Sequence, residues 1–152
     1  MIPISKPKIE YDMAKKKEWT EGALFLVPQA DNGHSLGQVV SIEKQALNSV
    51  ICAFYDQRNP DSVGSWAAPD PNKMIAILFT TPDLLNNGTW RAVGRSTPLG
   101  LDRMGNYVKL KAANFVGAEI TGSGNVMEFL NAFYGLLPWD DWHDPKYLDT
   151  LL

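Results

Sequence analysis

The sequence predicts an α+β fold: a mainly antiparallel, curved sheet with one main C-terminal helix, a small open barrel being the other way to close the same strands. Three observations carry this. Strand signals crowd residues 23–55 and return at 74–79, whereas strong helical periodicity is confined to 126–137. Turn chemistry separates the first two strands and joins them as an antiparallel hairpin. The 152 residues are 45% hydrophobic and 20% charged, enough to bury one core, so residues 1–152 read as a single domain.

Each element follows from local chemistry. Residues 1–18, with Pro3 and Pro7, read as an N-terminal arm or short polar helix. Ala23–Val27 is an apolar strand ended by Pro28, and Leu36–Ile42 is the second strand. The link Ala30-Asp31-Asn32-Gly33-His34-Ser35 between them is a turn, with His34 solvated in it. Ser49–Tyr55 is the third strand. Residues 56–72 carry three Pro and no periodic pattern, a loop long enough to suggest function. Met74–Phe79 is apolar throughout and reads as a strand covered on both faces. Thr81-Pro82-Asp83 opens a short helix that Gly88 stops. Trp90–Val93 is a strand, residues 94–106 a loop, and Tyr107–Leu110 and Val116–Thr121 weaker strands. In the main helix, Val126, Phe129, Leu130, Phe133 and Leu137 repeat at helical spacing, so Phe129 and Phe133 are expected to face the sheet. Asn125 is its expected cap, Glu128 completes a variant capping box, and Pro138 limits it.

Charge and composition narrow the function. The net charge is −3, which argues against general nucleic-acid binding. Residues 1–18 hold five Lys against three acids, while residues 112–152 hold six acids against Lys146 alone. The C-terminal quarter is therefore the acidic pole. Cys52 is the one cysteine and lies in the apolar run Val50–Phe54, where it reads as a small core hydrophobe. A chain without an intrachain disulfide fits a reducing compartment, so the cytoplasm is the expected location. No leader pattern opens the sequence, and the apolar run Met74–Phe79 is too short to span a bilayer, so no membrane partner is expected.

Catalytic signatures are missing. The sequence holds no phosphate-binding G-x-x-x-x-G-K-[ST], no G-x-G-x-x-G after a strand, no H-E-x-x-H and no G-x-S-x-G. Gly122-Ser123-Gly124 before the main helix is either a flexible lead-in or an anion-holding helix N-terminus. His34 and His143 are the two histidines, and His143 lies among Asp140, Asp141 and Asp144. Zinc takes three or four N, S or O ligands, so no metal, cofactor or enzymatic role is expected.

The most informative segment is Leu136-Leu137-Pro138-Trp139-Asp140-Asp141-Trp142-His143-Asp144-Pro145. Two Trp alternate with three Asp. Trp anchors protein interfaces because it joins a large apolar area to a polar handle, and neighbouring acids pair with a basic partner. The other reading packs both Trp onto the sheet and leaves the Asp as a solvated face. Asp61 and Trp66 in the long loop are the second candidate pair. The expected partner-binding residues are thus Trp139, Asp140, Asp141, Trp142, Asp144, Asp61 and Trp66.

The stretch Glu21-Gly22-Ala23-Leu24-Phe25-Leu26-Val27-Pro28, then Asp31-Asn32-Gly33, then Leu36-Gly37-Gln38-Val39, resembles the opening motif of the immunity protein 26 family. That motif runs as a Gly, an apolar strand ending in Pro, an Asp/Gly turn, and a Gly leading an Arg or Gln and Val. The closing Leu137-Pro138-Trp139-Asp140-Asp141-Trp142 is also similar. Gln29 stands where the family pattern has Leu. The resemblance implies an immunity protein of a bacterial polymorphic toxin or contact-dependent inhibition system. It implies one partner, a cognate toxin domain and often a nuclease, bound and neutralised inside the producing cell. Two rival expectations are a small metal-dependent, phosphotriesterase-like hydrolase using His143 and its Asp neighbours, and a non-toxin adaptor.

Overall fold

The computed structural model describes residues 19–59 and 68–138. Among these residues six strands form one open sheet: β1 (Ala23–Pro28), β2 (His34–Glu43), β3 (Ser49–Asn59), β4 (Met74–Thr80), β5 (Arg91–Arg95) and β6 (Ile120–Thr121). Their order is β5-β1-β2-β3-β4-β6. Every pairing is antiparallel except β4 with β6, which is parallel. The α+β class with a curved, mostly antiparallel open sheet is as the sequence predicts. Register shifts at Leu24/Phe25, Ser35/Leu36, Val39/Ser41 and Phe54/Tyr55 mark bulges, which bend and twist the strands they interrupt.

The helices are α1 (Asp83–Asn86), α2 (Tyr107–Ala112) and α3 (Ser123–Phe133), with 3-10 turns at Pro71–Lys73 and Leu101–Arg103. They divide between the faces of the sheet. Phe25, Val39, Cys52, Phe54 and Leu78 point to one face and meet Leu85 of α1, Trp90, and Val126, Phe129 and Leu130 of α3. Leu24, Leu26, Leu36, Ile51, Ala53, Ile77 and Phe79 point to the other and meet Phe115, with Leu101, Met104, Tyr107 and Leu110 at its rim. Two covered faces explain why all seven residues of β4 are buried.

An aromatic trio centres the first face. Phe25 stacks on Trp90 at 5.1 Å and 7°, and Phe54 stands edge-on to Phe25 at 6.0 Å and to Trp90 at 5.6 Å. The Phe25 ring lies over its cross-strand partner Gly37, whose absent Cβ would sit 2.5 Å from two ring atoms. On the opposite face Gln38 is fully buried. Its Nε2 donates to Ser96 O (3.1 Å), Ser96 Oγ (3.1 Å) and Thr97 O (3.2 Å), and its Oε1 accepts from Leu99 N (3.3 Å). Residues 96–99 are thereby stapled over the sheet.

Four sequence expectations for residues 107–138 need correction. Tyr107–Leu110 is helical, not extended. Tyr107 and Leu110, three apart, turn together toward the sheet while Val108 is 80% exposed, so the period is helical despite the apolar alternation. The strand expected at Val116–Thr121 shrinks to Ile120–Thr121, because Asn114 and Phe115 take left-handed φ of 53° and 63° and end α2 in a turn. The main helix starts earlier and ends earlier than the Asn125 cap and Pro138 limit imply. Its first residue, Ser123, gives its N–H to Thr81 Oγ1 (3.0 Å) and its hydroxyl to Asp83 Oδ1 (2.7 Å). At the far end Gly135, at φ 74°, lets its own N–H reach Ala132 O (3.0 Å) and the Leu136 N–H reach Asn131 O (2.8 Å), a Schellman stop. Phe129 is 2% exposed as expected, but Phe133, in the last helical position, is 38% exposed and does not face the core.

Candidate partner-binding site

One end of the sheet gathers polar side chains from four elements. The β1–β2 turn closes with Gln29 N–H to Gly33 O (2.9 Å), and Asp31 Oδ1 accepts from Gly33 N (3.0 Å). Asn32 at φ 70° supplies the left-handed step such a turn needs. From β3, Arg58 donates Nε to Gln29 Oε1 (2.6 Å) and forms an ion pair with Asp31. The Gln29 amide continues to Ser35 Oγ (2.7 Å). Gln29 is itself buried, and its amide is satisfied by Ser35 and Arg58 rather than by solvent. The guanidinium of Arg58, through its hydrogen bond first and its charge besides, holds the Asp31 carboxyl below its ordinary range.

Helix α3 is tied to the same end. Asn131 Oδ1 accepts from Ala30 N (2.9 Å). The Arg58 guanidinium lies 5.0 Å from the centroid of the Tyr134 ring, a cation–π contact. The Tyr134 hydroxyl donates to Tyr55 O (3.4 Å), and burial, with the nearby Asp56 charge, pushes its pKa up. Gln57 acts as a clasp across the long loop. Its Nε2 donates to Ala68 O (3.3 Å) and its Oε1 accepts from Asp70 N (2.8 Å).

His34 opens β2 and is half-buried, not solvated as the turn chemistry suggests. Its Nδ1 is enclosed with no hydrogen-bond partner among the described residues. Burial first, then the charges of Arg91 and Arg58, hold the imidazole below its ordinary value. Cys52 is fully buried in the core, and burial pushes its thiol far up, which denies it a nucleophilic role. The N-terminus of α3, read as an anion site or a flexible lead-in, is served by the Asp83 carboxylate through Ser123. Among the described residues no three His, Cys, Asp or Glu converge as a metal set. No helix among them is long and apolar enough to cross a membrane.

The expected partner-binding residues Asp61, Trp66, Trp139, Asp140, Asp141, Trp142 and Asp144 lie outside the described residues, as does His143. Asn59 ends β3 directly after Arg58, and Pro138 follows Tyr134 by four positions. Arg58, Gln57, Asn131 and Tyr134 went unnoticed in the sequence. Asn131 carried a readable signal, a polar residue between Leu130 and Ala132 on the buried side of the helix.

A cleft lies elsewhere, beside β4 and the 103–106 segment. It measures about 450 Å³ and is lined by Ile77, Phe79, Arg103, Gly105, Asn106 and Thr121, among others. The Arg103 guanidinium there donates to Pro71 O (2.7 Å). Comparison with family models, with curated proteins and with solved structures finds no match to this chain.

Proposed function

We propose that this chain is an immunity protein that binds and neutralises a cognate bacterial toxin domain, a nuclease by preference. One observation carries the reading beyond the sequence resemblance. Arg58 and Tyr134, which contact each other, stand three and five positions before Asp61 and Trp139 in the sequence. Gln57 clasps Ala68 and Asp70, which follow Asp61 and Trp66 in the sequence. Gln29, Asp31, Arg58, Asn131 and Tyr134 make one connected set of contacts at that end of the sheet. A nuclease holds phosphates and is therefore basic, so an acidic surface with Trp anchors complements it. Binding of this kind uses no cofactor, takes place in the cytoplasm, and involves neither nucleic acid nor membrane as partner.

The test is whether a toxin domain is encoded immediately upstream of this chain, followed by co-expression of the two. Survival of cells that die with the toxin alone supports the proposal. Equal killing with and without the chain, or zinc-dependent phosphotriester hydrolysis lost in His143→Ala, overturns it.

A further inference from the structure

We draw no further inference here: the strongest candidate, the surface of α2 and the β2–β3 turn where Leu47, Val108 and Val116 stand exposed among Lys44, Lys109 and Lys111, carries nothing because nothing in the structure shows what covers it.

Discussion

Replacing Gly37 by Ala probes the centre of the fold with a single methyl group. Gly37 is not in the left-handed region, so the backbone accepts alanine and the whole effect is steric. The new Cβ would lie 2.5 Å from Cε1 and Cζ of Phe25, where ordinary contact begins at 3.4 Å. The ring has to give by most of an ångström. It is held on its far side by Trp90 at 5.1 Å and on its edge by Phe54 at 6.0 Å, both fully buried. Overpacking of a closed core costs about 1–3 kcal/mol, and the pinned ring puts Gly37→Ala toward the upper end. At this size that lowers Tm by roughly 4–10 °C. Urea melts of Gly37→Ala, Phe25→Leu and the double variant form a cycle. The double variant should be at least about 1 kcal/mol more stable than the two single losses sum to, because the smaller side chain makes room. A stability within about 0.5 kcal/mol of the parent for Gly37→Ala, or strict additivity in the cycle, refutes the packing described here.

Two further outcomes follow from burial and charge. Phe129→Ala should cost about 3–5 kcal/mol, while Phe133→Ala, more than a third exposed, should cost about 1 kcal/mol or less; urea denaturation separates the two. The hydroxyls of Ser123 and then Thr81 hold the Asp83 carboxyl below its ordinary value of 3.8. A depressed carboxylate contributes stability that is complete above its unfolded pKa and lost as pH falls through the folded one. Thermal melts between pH 7 and pH 2 should therefore show the Asp83→Asn variant losing less stability than the parent below about pH 4. Parallel curves would remove Asp83 from the N-terminus of α3.

The strands were legible where two covered faces demand apolar runs, as at Ala23–Val27 and Met74–Phe79, and the hairpin was legible in its Asp-Asn-Gly turn. The region 94–121 was not. Its Tyr107-Val108-Lys109-Leu110 stretch satisfies a strand pattern locally, and only packing against Phe115, 6.2 Å from Tyr107 ring to ring, selects the helix. The end of α3 was misread because Gly135 stops it before the apolar period runs out. At the candidate site, Asp31 and His34 attracted notice as turn residues, but Arg58 and Tyr134 did not. Their meeting depends on β3 and α3 being brought together across 76 positions, and no local pattern encodes that. The buried Gln38 staple is illegible for the same reason: its partners in residues 96–99 are 58 to 61 positions away.

The most direct measurement of the proposed toxin binding is a kinetic titration of a toxin domain that the chain neutralises in co-expression against the parent, Trp142→Ala, and a triple Asp140→Asn, Asp141→Asn, Asp144→Asn variant, each checked for folding by circular dichroism. The triple variant should associate more slowly at low salt and converge on the parent as salt rises, because opposite charges speed encounter more than they deepen affinity. Trp142→Ala should weaken binding by about 2 kcal/mol or more, chiefly through faster dissociation. Folded variants that bind as fast and as tightly as the parent at low salt would contradict the assignment and leave the C-terminal acids a solvated face.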